Sequence, residues 1–424
     1  MILQISFLAT MPISGIFDAG WNSFFRNQSQ IDLQVSNMKK LNLDTLILQY
    51  SIDKTQRFYD SKLPFAAGTA NNSYFERIIP SAAKQNMSIY LGVYAENDGW
   101  WTTPDDAYLF RQRDNSIKVI DELLAKFPQA AIKGFYIPHE IARYYWQVPA
   151  DMQRLVNNFV KPVSDYAHSK NKTMMISPFF NQDLETSAQD YSFFRDMLVN
   201  SSVDIVAVQD GVGSNAARRN FSVEYMTAIA KAAMETKKQF WTNVELFEAS
   251  APANITRIAQ QCVNGTTVKA SKLISYDYSS VTLDHYAQTM QPMFTDLVNW
   301  NAKTKCQFQN KFFYNNTCYA ICPGTMLSFN GTCVTTCPTS TPLTFNKSCV
   351  IKCPMGYTAG TNKVCVQNKS GQTIGITVGV VVGVVVIIAI AIGVFAFVKN
   401  NKPKIGGKPM KIHVKLTNKS MNYV

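Results

Sequence analysis

Residues Gly134–Glu140 read GFYIPHE. An apolar run of this length that halts at a proline is a buried strand. Here the strand is followed at once by His139 and Glu140, so it ends by delivering a carboxylate. Working outward, seven further short runs share its character: ISGIF from Ile13, LDTLILQY from Leu43, SIYLGVY from Ser88, TMMISPF from Thr173, DIVAVQ from Asp204, QFWTNVE from Gln239 and LISYDY from Leu273. Between them lie stretches with apolar residues at three- and four-residue spacing: IDLQVSNMKKLN, YFERIIPSAAKQ, DNSIKVIDELLAKF, DMQRLVNNFVKPVSDYAHS, YSFFRDMLVN, EYMTAIAKAAMETK and LDHYAQTMQPMFTDLVNW. The seventh crossover, around NITRIAQQCV, has the least regular spacing.

Strand and helix thus alternate eight times across residues 13–302, which predicts an α/β fold, a (β/α)8 TIM barrel. An open doubly wound sheet would want a Gly-rich phosphate turn after its first strand, and GIFDAGW supplies none. In such barrels the active site is built at the C-terminal ends of the strands. Glu140 ends the fourth and Glu245, in WTNVELFE, ends the seventh. Two carboxylates facing each other across the mouth suit glycoside hydrolysis, in which one protonates the leaving oxygen and the other attacks or activates water. Glu140 is expected to be the protonated one, raised by Glu245 nearby.

Each of these residues has a plainer reading. Glu140 suits the first turn of a helix, and Glu248 or Asn243 could stand at the mouth in place of Glu245. Asp210 ends the sixth strand but lies in Asp-Gly, ordinary turn chemistry. Asn243, Asp210 and Asp277 are the further polar candidates for substrate binding. Trp21, Trp100, Trp101, Tyr144 and Trp146 are the aromatic ones, all on loops at the expected mouth, since sugars pack C–H faces on rings. Only four histidines occur, His139, His168, His285 and His413; no multi-histidine metal cluster is expected, and no cofactor.

ISGIFDAGW, MKKLNLDTLILQY, GFYIPHE and DIVAVQDGVG carry a resemblance to a known group. Over about residues 10–300 the chain resembles the domain-of-unknown-function (DUF) 4434 family of glycoside-hydrolase-like TIM barrels. More broadly it looks like the clan of retaining glycosidases with catalytic glutamates on strands four and seven. The resemblance implies Glu140 as acid/base, Glu245 as nucleophile, and retention rather than inversion. That clan usually has Asn before the acid/base, where this chain has His139; the resemblance then gives His139 the hydrogen bond to the sugar 2-hydroxyl.

The formal charge of +12 first suggests nucleic acid. Its distribution excludes that reading. Seven lysines and no acid lie in residues 399–424, and seven more with no acid in 303–372. Taking those 14 from +12 leaves residues 1–302 at −2. Residues 374–398 are 25 uncharged residues in a row, long enough at about 1.5 Å per residue to cross the ~30 Å hydrocarbon core. The expectation is a single transmembrane helix with the lysine-rich tail in the cytoplasm. That makes a type I plasma-membrane protein with the lipid bilayer as partner and its barrel outside. Gly375, Gly379 and Gly383 have the spacing of a helix-dimer face, a possible homodimer.

Eight of the nine cysteines lie between Cys306 and Cys365, in repeats of Phe, a polar turn and Cys-x-x-x-Cys-Pro. A unit this small cannot build its own core, so disulfides are expected; Cys262 is a candidate partner for Cys306. Twelve Asn-x-Ser/Thr sequons, at Asn27, Asn71, Asn86, Asn171, Asn200, Asn220, Asn254, Asn264, Asn315, Asn330, Asn346 and Asn368, accord with export. The expected domains are a possible short signal segment (1–12), the barrel (13–302), a Cys-rich stalk (303–370), the transmembrane helix (374–398) and a basic tail (399–424). Two functions follow: an anchored extracellular glycosidase acting on an oligo- or polysaccharide, or a non-catalytic cell-surface glycan-binding receptor or adhesin.

Overall fold

The computed structural model describes residues 10–367 except 22, 68, 97, 103, 215–221, 249–250 and 283–288. The chain divides into two compact units, Met1–Thr335 and Thr336–Val424.

The first unit contains eight parallel strands: β1 (Ile13–Asp18), β2 (Thr45–Leu48), β3 (Ser88–Gly92), β4 (Ile132–Ile137), β5 (Thr173–Ile176), β6 (Ile205–Gln209), β7 (Gln239–Glu245) and β8 (Lys272–Tyr276). Each pairs with its neighbours in sequence, and β8 pairs with β1 to close the barrel. Period two sorts their side chains. Phe17, Ile47, Tyr90, Tyr136, Met175, Ile205, Ala207, Trp241 and Ile274 fill the interior. The alternate residues, among them Leu46, Leu48, Leu91, Phe135 and Ile137, pack outward against the helices. Each such burial contributes about 1.5–3 kcal/mol.

The helices are α1 (Gln28–Lys40), α2 (Tyr74–Lys84), α3 (Asp106–Lys126), α4 (Pro149–Leu155), α5 (Lys161–Ser169), α6 (Ser187–Asn200), α7 (Ser222–Glu235), α8 (Ile255–Thr267) and α9 (Pro292–Phe308). A π-helical turn, Val156–Val160, joins α4 to α5. Local signals set several starts. Asn27 and Gln30 form a capping box on α1, as Thr186 and Gln189 do on α6. The irregular seventh crossover is a helix after all: the Asn254 side chain accepts from the Arg257 N–H and caps α8. The eighth expected helix is shorter at its start. It begins at Pro292, where proline's missing N–H costs nothing, and 283–288 lie outside the described residues. It then continues to Phe308, so Cys306 sits in its last turn.

Beyond α9 come short hairpins. In the first unit β9 (Phe312–Tyr314) pairs with β10 (Thr317–Tyr319), and β11 (Leu327–Phe329) with β12 (Thr332–Val334). In the second, β13 (Leu343–Phe345) pairs with β14 (Ser348–Val350), and β15 (Tyr357–Ala359) with β16 (Cys365–Gln367). Four disulfides hold them: Cys306–Cys318, Cys322–Cys333, Cys337–Cys349 and Cys353–Cys365. Each cysteine bonds the next one along. A Cys262–Cys306 bridge is therefore excluded; Cys262 is buried in α8 as a free thiol.

The expected transmembrane helix, and the single-pass plasma-membrane topology built on it, are corrected. Among the described residues no helix is long and apolar enough to cross a membrane. The run 374–398, with Gly375, Gly379 and Gly383, and the basic tail both lie outside the described residues. The described residues thus give no support to the bilayer as a partner. Disulfide-bonded hairpins of this kind accord with an oxidising setting.

Candidate active site

A cavity of about 230 Å³ lies at the C-terminal ends of the barrel strands. Phe17, Tyr136, Phe179, Phe247 and Tyr276 make its apolar walls, and Gln49, Ser177, Gln209 and Asn243 its neutral polar ones. Glu140 and Glu245 both line it. The two carboxylates singled out from the strand ends thus share one hollow.

Glu140 lies three residues beyond β4. Gln209 Nε2 donates to its Oε1 at 3.3 Å and to the Ser177 carbonyl at 3.2 Å. The Trp100 indole N–H donates to the Glu140 carbonyl at 2.9 Å, fixing the backbone that carries the acid. Burial raises the Glu140 carboxyl above its ordinary range, with the Gln209 hydrogen bond opposing. The cause is thus desolvation, not the expected repulsion from Glu245.

Glu245 closes β7, and period two puts Trp241, Asn243 and Glu245 on the same inward side. Its Oε2 accepts from the Ser214 N–H at 2.8 Å and from the Gly213 N–H, and the Ser214 hydroxyl donates to Oε1 at 3.3 Å. Arg257 donates to the Glu245 main-chain carbonyl at 2.7 Å. Burial raises this carboxyl too, while those N–H and O–H donors pull it back. Asp210 is buried beside it, held by Gln261 and by the Val212 N–H. Burial and then the charge of Glu245 push Asp210 up to about 8. The amide donors favour the charged form of Glu245, and that charge in turn favours the protonated form of Asp210.

The other expected residues are variously placed. Asn243 lines the cavity; its Nδ2 donates to Ser177 Oγ at 3.4 Å, and its buried Oδ1 has no hydrogen-bond partner. Tyr144 reaches the rim indirectly, its ring 6.4 Å from that of Phe179. Asp277 is buried after β8, where the Ser279 and Ser280 hydroxyls donate to it. Trp21 and Trp101 are exposed, 37% and 40%, and pack on Tyr50 and Tyr145 rather than lining the cavity.

His139, Trp100 and Trp146 are fully buried together; the imidazole lies tilted 4.5 Å from the Trp100 ring and edge-on 5.1 Å from Phe159. Neither His139 nitrogen has a hydrogen-bond partner among the described residues, and burial lowers its pKa to about 3. It does not line the cavity. Its neighbour Glu140 turns inward, so His139 turns into the helix layer. Sequence reasoning missed Gln209, Gln49, Ser177, Tyr136 and Tyr276. They are inward strand positions or lie one residue past a strand end, and alternation from Ile47, Met175 or Ile205 is the signal that finds such residues. Among the described residues no group of three or more His, Cys, Asp or Glu could hold a metal ion.

The family model described as Domain of unknown function (DUF4434) matches residues 13–288. The chain belongs to this DUF4434 family. A comparison with curated proteins finds no match. Among solved structures, this DUF4434 chain is similar to a putative alpha-L-fucosidase from Bacteroides thetaiotaomicron VPI-5482. The two share 20% identity with a TM-score of 0.58, over 72% of this chain and 96% of that one. It is also similar to the endo-beta-1,4-mannanase from Thermotoga petrophila, with 12% identity and a TM-score of 0.49, over 70% and 77% of the two chains. Likenesses at this identity show the TIM-barrel fold alone.

Proposed function

We propose that this DUF4434 protein is a glycoside hydrolase in which Glu140 is the acid/base and Glu245 the nucleophile. The observation that carries this reading is two inward carboxylates, from β4 and β7, lining one cavity walled by aromatic rings. Their surroundings suit different tasks. Glu140 is desolvated and touched by a single neutral donor, so it keeps a proton to give. Glu245 is gripped by two backbone amides and a hydroxyl, which hold it charged and aimed.

In the first step a Glu245 oxygen forms a bond to the anomeric carbon while the glycosidic C–O bond breaks. The leaving oxygen takes the Glu140 proton. In the second step water, losing its proton to Glu140, displaces Glu245 and restores both groups, with net retention. Gln209 steadies Glu140, and Asn243 Oδ1 accepts from a sugar hydroxyl. The substrate is an oligo- or polysaccharide.

The test is hydrolysis of aryl glycosides by the wild type and by Glu140→Gln and Glu245→Gln. Each variant is expected to lose about 10²–10⁴-fold in kcat while melting within a few degrees of wild type. Proton NMR of the first-formed product should show the anomer of the substrate. Unchanged rates in both variants would remove the assignment. Glycan binding with no product from the wild type would make the protein a glycan-binding receptor or adhesin.

A further inference from the structure

The hairpin repeats play no part in the proposed chemistry, and three of them share a feature that their disulfides do not explain. In each, a two-residue loop joins the strands: Asn315-Asn316 between the pair Tyr314 and Thr317, Asn330-Gly331 between Phe329 and Thr332, and Asn346-Lys347 between Phe345 and Ser348. Both loop residues have positive φ in every case: 44° and 57°, 43° and 72°, 46° and 61°. This is the type I′ pattern, which favours Asn at the first position. Turn chemistry therefore accounts for the asparagine.

The residue two positions on is a hydroxyl residue in all three hairpins: Thr317, Thr332 and Ser348. A type I′ turn does not require that. The result is an Asn-x-Ser/Thr sequon whose asparagine is exposed at a hairpin tip and whose hydroxyl residue immediately precedes the disulfide-bonded Cys318, Cys333 or Cys349. The fourth hairpin is a natural contrast. Its strands are joined by five residues, and Asn362 is followed two positions on by Val364. Of the barrel's sequons, Asn27 and Asn254 are spent as helix caps and Asn264 is buried in α8, whereas Asn86, Asn171 and Asn200 are exposed but lie outside any hairpin.

We infer that Asn315, Asn330 and Asn346 are N-glycosylation sites, each carrying an oligosaccharide at the same register of its hairpin. The donor is a lipid-pyrophosphate-linked oligosaccharide. The asparagine Nδ2 forms a bond to the anomeric carbon of its first sugar and loses one proton. The anomeric C–O bond to pyrophosphate breaks, and the lipid pyrophosphate leaves with the electron pair. All three asparagines are exposed, with Gln307 Nε2 donating to the Asn330 main-chain carbonyl at 2.8 Å, and each glycan covers strands only three residues long. The inference is independent of the catalytic assignment, since it rests on the hairpins alone.

The experiment expresses the full chain through a eukaryotic secretory pathway and releases N-glycans enzymatically in 18O-water. Each occupied asparagine then becomes an 18O-labelled aspartate in the peptide map. Label is expected at positions 315, 330 and 346. Thr317→Ala, Thr332→Ala and Ser348→Ala should each remove one glycan step in mass while leaving the asparagine, its left-handed turn and the disulfide map in place. The Thr317 and Thr332 hydroxyls donate to the carbonyls of Asn315 and Phe329. Should those variants misfold, Asn315→Gly and Asn330→Gly keep a turn that type I′ geometry favours and serve in their place. A chain with its four disulfides formed but no label at the three tips would overturn the inference, as would label confined to barrel asparagines.

Discussion

His139 shows how adjacent residues of one strand end come to opposite fates. Glu140 faces the cavity, and the imidazole before it is sealed among Trp100, Trp146 and Phe159 with no hydrogen-bond partner among the described residues for either nitrogen. Its folded pKa of about 3 lies below the ordinary 6.5. The unfolded chain therefore binds the proton more readily. The stability His139 allows is complete above about pH 6.5 and is lost as pH falls toward 3. His139→Leu removes both the titration and two unsatisfied polar atoms. We expect urea melts to show unchanged or higher stability at pH 7, by up to about 1 kcal/mol, and a shallower loss between pH 6 and 4. An equally steep acid loss in the variant would show that other groups govern it. The role drawn from family resemblance, a contact to the sugar, was legible as a position in the chain but not as an orientation. The same holds for Trp100 and Trp146: a large ring on a loop after a strand can serve as rim or as core, and packing of the next helix decides.

At the scale of elements, the barrel itself was the most legible part. Eight apolar runs of strand length, separated by helical periodicity, leave few alternatives, and β7 matches its quoted run residue for residue. What was hidden is the loop after β6. Gly213 and Ser214, in the loop after the neighbouring strand, hold Glu245, a contact over more than thirty residues that no local pattern announces. Gly213 is there because the space is taken. A Cβ at this position would stand 2.3 Å from the Phe247 carbonyl oxygen and 2.9 Å from the Glu245 side chain. Gly213→Ala must push the loop off the carboxylate. The expected result is a fall of about 10²-fold in kcat with a smaller change in KM, read from steady-state kinetics on the same aryl glycosides. Wild-type kcat in this variant would mean that the two amides do not position Glu245.

For the whole molecule, cysteine usage divides the chain. Of the nine cysteines, eight are paired beyond residue 305, and Cys262 alone is a thiol, buried in the barrel, where desolvation raises its pKa well above normal. A thiol reagent under non-reducing conditions should therefore find no reactive group in the native protein and one after denaturation. A reactive thiol before denaturation, or more than one after it, would contradict this pairing. Each disulfide spans 11 or 12 residues, and a loop of that size contributes about 3 kcal/mol by restricting the unfolded chain. Hairpins with three-residue strands have no other comparable source of stability. The repeat was legible from spacing, and its connectivity was not, because even cysteine counts permit many pairings. The neighbour-to-neighbour pattern has a temporal consequence. As the polypeptide emerges from the ribosome, every odd cysteine of the eight beyond residue 305 meets its mate before any later cysteine has been synthesised. Oxidation that keeps pace with translation then arrives at the native set provided that Cys262, the one earlier thiol, has been withdrawn by burial in the barrel.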